Sequence, residues 1–231
     1  MPPAVSDFLR KTAAVTRRVL ANRATKVAVF VACLIPVAAE IVGWYGWLGQ
    51  DLGGNPIEDV THESGEWALK FLACTMAVTP VRKLLRIPEL IRYRRMLGLY
   101  AFFYAVLHLY TYVWMDKFFN LDAMLHEVGT QLYIFVGTVS FVLLLPLVVT
   151  STRGWIIRMK GRRWRWLHRL IYAAAIAGVL HYYWVMKADV SDPLMYAAAF
   201  AVILGLRVYV GWFGTRKNPW NTEEHGITRK A

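Results

Sequence analysis

Residues 96–115, MLGLYAFFYAVLHLYTYVWM, contain no aspartate, glutamate, lysine or arginine. A helix rises about 1.5 Å per residue, so a run of this length crosses roughly 30 Å, the hydrocarbon thickness of a bilayer. In that medium every backbone amide must be paired within its own segment, so the run reads as a membrane-spanning helix. His108 stands out in it. An imidazole is costly in hydrocarbon and is retained where it has a partner or a task.

Working outward, similar blocks recur. They run from Val27 to Leu48, Glu66 to Val81, Met96 to Met115, Val128 to Val149, Trp166 to Met186 and Pro193 to Phe213. The pattern predicts an all-α, six-helix integral membrane bundle. The first block resembles a signal peptide at its start, but the apolar run continues past Ala38 and Ala39 through Ile41, Trp44, Tyr45 and Trp47, so it reads as a span. Pro36 marks a bend in it. Lys70, near the start of the second block, can snorkel toward an interface. The organisation expected is a basic arm at 1–26, a membrane domain at 27–213 and a tail at 214–231, the tail being too short to fold alone. Cys33 and Cys74 lie inside apolar runs and read as packing residues. No C-x-x-C-H occurs, which excludes covalent c-type haem attachment.

The net charge of +12 would suggest nucleic acid in a soluble protein. Here the cations fall between apolar blocks, so they are read as topogenic and as facing anionic lipid, with no nucleic-acid partner. Arg10, Lys11, Arg17, Arg18, Arg23 and Lys26 precede the first span. Arg82, Lys83, Arg86, Arg92, Arg94 and Arg95 lie between the second and third. Arg153, Arg158, Lys160, Arg162, Arg163 and Arg165 lie between the fourth and fifth. The alternate connections carry Asp51, Glu58, Asp59 and Glu63, then Lys117, then Asp189 and Asp192. By the positive-inside rule both termini are cytoplasmic, and the location expected is a bacterial inner membrane. Most tryptophans lie near span ends, as an aromatic belt does.

Counted from the cytoplasmic side, His108 is ~18 Å deep and His181 ~22 Å deep on helices three and five. Two imidazoles at one level on neighbouring parallel helices are candidate axial ligands for one haem iron. His168 is 13 residues before His181, ~20 Å lower and about 140° round an ideal helix. It shares a cofactor face with His181 only if that helix is distorted. A second haem would also want a histidine near position 95, where Arg95 stands. One bis-histidine haem is therefore expected. His168 is a candidate for a second haem with an unusual partner, for a propionate or quinone contact, or for an interfacial role. His62 is read in the acidic outer loop as a loop residue, a donor behind a ligand, or a docking residue. Glu40 is a candidate proton or quinol partner, although reach to water or a basic group at the interface is the favoured reading. Arg94 and Arg95 are candidates for holding haem propionates or an anionic donor. His126 and His225 are read as solvated.

Several stretches resemble one family. Arg94-Arg95-Met96-Leu97-Gly98-Leu99 with Leu107-His108-Leu109 is similar to the third helix of the MsrQ (YedZ) family, the haem-binding membrane subunit of a bacterial periplasmic methionine sulfoxide reductase system. Ala68-Leu69-Lys70-Phe71-Leu72 with Thr79-Pro80 resembles its second helix, and His62 and Gly65 resemble its outer loop. Trp166-Leu167-His168-Arg169-Leu170 with His181-Tyr182 resembles its fifth. The similarity covers about residues 27 to 213. It implies a ferric-reductase-like transmembrane domain. Such a domain passes electrons from the quinone pool, or from a cytosolic flavin reductase, to a periplasmic molybdopterin subunit that reduces methionine sulfoxide. It implies haem b and also FMN, for which no residues stand out. Oxidase relatives carry two histidines on the third helix and a fused flavin and nicotinamide domain. This chain has one such histidine and no room for the fused domain. A bis-histidine haem has no open iron site, so the chain is expected to transfer electrons without substrate chemistry of its own. The alternatives are a ferric-chelate reductase or another b-type cytochrome, a small transporter using His108, His181 and Glu40 as a proton relay, and a passive anchor.

Overall fold

The computed structural model describes residues 15–46, 55–186 and 190–214. Arg10, Lys11, Trp47, Leu48, Asp51, Asp189, His225 and the chain from 215 onward lie outside the described residues. Every element among the described residues is helical. Four helical stretches among them, Arg23–Trp44, Pro88–Asp116, Leu132–Val149 and Ser191–Gly211, are long and apolar enough to cross a bilayer. The chain is a multi-pass membrane protein. Large apolar residues such as Phe135, Val142, Val202 and Val208 are exposed on the outside of the bundle, as expected where lipid is the solvent.

The first span is two helices, α1 (Arg23–Ala32) and α2 (Ile35–Trp44), broken at Cys33 and Leu34. Pro36 lacks an amide hydrogen, and its ring displaces the carbonyl four residues earlier, so the helix restarts there with proline in its first turn. The amide and carbonyl left open are satisfied from outside. The Tyr104 hydroxyl donates to the Cys33 carbonyl at 2.9 Å and accepts from the Val37 amide at 3.1 Å.

α3 (Pro56–Leu84) is 29 residues long and begins ten residues before the expected second span. Pro56 presets its first turn, and Glu58 and Asp59 favour its positive end. His62 and Glu63 therefore lie on this helix and not in a loop. Glu66 and Lys70 lower the apolar character of α3. A 3-10 turn (Pro88–Leu90) leads into α4 (Ile91–Tyr110), which runs on into a π-helical turn, Thr111–Asp116.

The fourth block is not the continuous Val128–Val149 helix expected. α5 (Leu121–Thr130) is capped by the Asn120 side chain, which accepts from the Ala123 amide at 3.1 Å. Gln131 is extended (φ −102°, ψ 106°), and α6 (Leu132–Val149) starts after it. Two short helices, α7 (Arg153–Arg158) and α8 (Lys160–Leu167), form the basic connection to α9 (Leu170–Val185) and α10 (Ser191–Gly214).

Two helix pairs build the core. α3 packs along α4, and α6 along α9, while α10 leans on α3. α4 and α9 barely touch, so His108 and His181 are not on directly packed neighbours as expected. In the core Phe71 stacks on Tyr100 and Tyr104, with ring centres at 5.6 and 5.2 Å. At Gly178 a side chain would meet Leu69, and the Ser140 hydroxyl donates to the Ala174 carbonyl at 2.9 Å. Small residues let membrane helices approach this closely.

Candidate functional site

Each of the two central histidines is held by the helix its own helix packs against. His108 projects from α4 against α3. There its Nδ1 lies 2.8 Å from the Thr61 carbonyl. His181 projects from α9 against α6, with Nδ1 2.7 Å from the Tyr133 carbonyl. A carbonyl only accepts, so Nδ1 carries the hydrogen in both rings. Nε2 is then the lone-pair nitrogen, and neither Nε2 has a hydrogen-bond partner among the described residues.

The two cradles share one design. Gly65 lies one turn after Thr61, and Gly137 one turn after Tyr133, so each glycine uncovers the carbonyl below it. A Cβ on Gly65 would stand 2.9 Å from His108 Nδ1, and one on Gly137 would stand 2.7 Å from His181 Nδ1. Both positions exclude any side chain while the ring is there. Next to His108 the chain passes into its π turn. The Thr111 hydroxyl donates to the His108 carbonyl at 2.8 Å and lies 3.0 Å from the Thr61 hydroxyl. π turns recur at functional sites because they re-aim a side chain without breaking the helix.

The His108 and His181 ring centres are 5.9 Å apart, with planes at 76°. Metal–imidazole bonds of about 2 Å on either side of one ion put the ring centres ~6 Å apart. An imidazole whose Nε2 lone pair is free can accept a hydrogen bond or bind a metal, and the spacing of the two rings suits a metal between them. The donor set fits a haem iron held on both faces.

The other sequence candidates are dispersed. His168 caps α8 at the break before α9, so that helix is indeed interrupted between His168 and His181. Its Nδ1 lies 3.1 Å from the Trp164 carbonyl, and its ring stacks on Trp164 at 3.9 Å. Arg94 is half-buried near His168, Arg82, Tyr172 and Arg207, whereas Arg95 is exposed. His62 lies on α3 directly after Thr61, whose carbonyl holds His108. Glu40 is 5% exposed, and its Oε1 has no partner among the described residues. The basic contact expected for it is absent among them, and Glu63 is the nearby charge.

Sequence reading missed a polar knot beside the pair. Glu66, next to Gly65, accepts from Lys70 at 2.9 Å, from the Tyr182 hydroxyl at 2.8 Å and from the Tyr196 hydroxyl at 3.4 Å. Lys70 also lies over the Trp67 ring, 4.6 Å from its centre. The i, i+4 spacing of Glu66 and Lys70 was a visible signal for the ion pair. Nothing in the sequence tied it to Tyr182, which lies 116 residues away.

Residues 64–179, half of the chain, match the family described as ferric reductase like transmembrane component. Curated relatives extend the match. A protein of Herminiimonas arsenicoxydans is 46% identical over 191 residues, covering 82% of this chain and 86% of the relative. One of Rhodospirillum rubrum is 47% identical over 189 residues, covering 81% and 88%. One of Ralstonia nicotianae is 43% identical over 199 residues, covering 84% and 89%. All three are named protein-methionine-sulfoxide reductase heme-binding subunit MsrQ. Matched by the family model over half its length and by these relatives over about four fifths of it, this chain belongs to the MsrQ family of ferric reductase-like transmembrane proteins.

Proposed function

We propose that this chain is the membrane electron-transfer subunit of a methionine sulfoxide reductase system, a b-type cytochrome that makes no bonds in substrate itself. The observation that carries the reading is the imidazole pair 5.9 Å apart with both Nδ1–H groups committed to carbonyls. His108 and His181 would hold the iron. Haem held on both faces supplies one-electron transfer and no open position for oxygen or substrate. Thr61 and Tyr133 fix the ring tautomers and make each Nε2 a better donor. Gly65 and Gly137 give the rings their room.

Around that centre we read six spans. They are α1 with α2, α3, α4 with its π turn, α6, α9 and α10, with both termini cytoplasmic in a bacterial inner membrane. The alternation of basic and acidic connections supports this orientation. Electrons arrive from the quinone pool or a cytosolic flavin reductase. They leave to a periplasmic molybdopterin subunit that reduces methionine sulfoxide, and the acidic outer connections would favour such docking by charge. FMN belongs to the reading through the family, with no residues assigned. His168 is the candidate for a second haem.

Pyridine haemochrome quantification of the purified protein tests the ligand assignment. His108→Ala and His181→Ala are expected to lose most of the haem and its low-spin spectrum. Full haem in either variant overturns it. With one haem, His168→Ala retains the wild-type content; loss of half the content would assign it a second one. The family description favours a second reading, ferric-chelate reduction. It predicts that the reduced protein passes electrons to a ferric chelate faster than to a molybdopterin partner.

A further inference from the structure

Each central imidazole is held within its own helix pair. His108 rests on the Thr61 carbonyl and beside the bare Gly65 of α3, and His181 on the Tyr133 carbonyl and beside the bare Gly137 of α6. The distance and angle between the rings therefore depend on how the α3–α4 pair is set against the α6–α9 pair. α4 and α9, which carry the rings, barely touch, and the pairs meet through α3 with α9 and α4 with α6. At those contacts Gly178 approaches Leu69, and Phe102 stacks on Phe141 with ring centres 5.6 Å apart. Apolar contacts of this kind are non-directional.

One hydrogen bond among the described residues runs directly from one pair to the other. The Tyr182 hydroxyl of α9 donates to Glu66 Oε1 of α3 at 2.8 Å. Both ends adjoin the site, because Glu66 follows Gly65 and Tyr182 follows His181. The carboxylate is itself fixed, with Oε2 accepting from Lys70 at 2.9 Å and from Tyr196 of α10 at 3.4 Å. Tyr182 is buried, and its ring meets that of Tyr196 edge-on at 5.6 Å. A hydrogen bond is directional, so this one sets how far α9 is turned about its axis. Side-chain atoms stand ~6 Å from a helix axis, so a turn of about 10° carries an imidazole about 1 Å. Metal–ligand distances hold to about 0.2 Å.

We propose that Glu66 is a positioning residue for the metal site. Through Tyr182 it holds His181 at its separation and crossed angle to His108, 5.9 Å and 76°. This rests on the reading of the two histidines as axial ligands of one haem iron. Axial ligation and the groups that orient it set the electronic state and reduction potential of such an iron. Glu66 bonds to neither ring among the described residues and acts only through its neighbours.

The test uses the full chain purified with its haem. Electron paramagnetic resonance of the ferric protein reads the angle between axial imidazole planes, and crossed planes give a low-spin signal with a large maximum g value. Wild type shows one such signal. Tyr182→Phe keeps the ring and removes the hydroxyl. It still binds haem, but its signal broadens and shifts towards that of parallel planes, and its haem passes to apomyoglobin about tenfold faster. Glu66→Leu does the same. Glu66→Gln, whose amide oxygen still accepts from Tyr182, recovers most of the wild-type signal. The signal decides rather than the midpoint potential, because removing a carboxylate moves the potential by charge alone. Tyr104→Phe is the control: it loses a tie between α4 and the first span, and its signal stays at the wild-type position. A lowered unfolding midpoint in Tyr182→Phe with an unchanged ferric signal overturns the proposal and leaves the ligand assignment standing. A wild type without low-spin haem overturns both.

Discussion

Gly137 sits where a methyl group would stand 2.7 Å from a ring nitrogen of His181. The ring cannot yield without leaving the Tyr133 carbonyl, and metal ligation tolerates little displacement. Gly137→Ala is expected to lower haem retention several-fold, and Gly65→Ala to do the same more weakly from its 2.9 Å approach. Gly205→Ala, where nothing lies within 4 Å, should leave haem unchanged. Soret absorbance per protein after desalting measures all three, and full retention in Gly137→Ala would remove the cradle from the account. At this scale His108 and His181 were legible, because a polar ring within an apolar run stands out from its neighbours. The glycines were not. Their meaning depends on which ring lies opposite, and no local pattern encodes that.

Two elements show how helix ends are tied. The break between α1 and α2 is bridged by Tyr104, which is fully buried and satisfies one carbonyl and one amide. Tyr104→Phe strands both groups and should cost about 1–3 kcal/mol. Thermal unfolding in detergent measures it, and an unchanged midpoint would mean that the break holds without this residue. Pro36 made a bend predictable, but the tyrosine that completes it comes from another helix.

α5 is tied back by Lys117, whose ammonium is 2.7 Å from Glu127. That ammonium, and then the Tyr112 hydroxyl, hold the Glu127 carboxyl below the ordinary carboxylate range. A lowered folded-state value means the contact stabilises fully above the unfolded value, about pH 4.3, and fades as pH falls through the folded one. Lys117 is raised above the usual lysine range by the same partner, so the alkaline loss begins only beyond that range. Amide exchange in α5, corrected for its intrinsic pH dependence, should therefore quicken on acidification below about pH 4. Glu127→Gln should be equally fast at pH 7. Protection in wild type that stays constant from neutral to acid pH would contradict the tie.

At the scale of the whole molecule, Glu66 joins α3 to α9 and α10 at the level of the histidine pair. Glu66→Ala removes an acceptor from two hydroxyls and strands Lys70. With both charges partly exposed, the expected cost is about 1–3 kcal/mol. Lys70→Ala added to it should restore part of the loss, because the stranded cation is gone. Unfolding midpoints of the two single variants and the double variant measure the coupling, and strictly additive losses would show that the pair contributes nothing jointly.

The membrane class, the helical character and the candidate ligands were all readable from the chain. Each is a local property: an apolar run long enough to cross hydrocarbon, or an imidazole within one. The boundaries were less so. α3 extends outward past its charged residues because a proline start and early acids stabilise a helix that hydropathy alone would end. The fourth block splits because Gln131 leaves helical geometry. Which carbonyl holds which histidine, why Gly65 and Gly137 must be bare, and where Arg207 meets Tyr172 and Thr79 were decided only by tertiary structure. Those relations join residues far apart in the chain, and they exist only once the α3–α4 and α6–α9 pairs have packed.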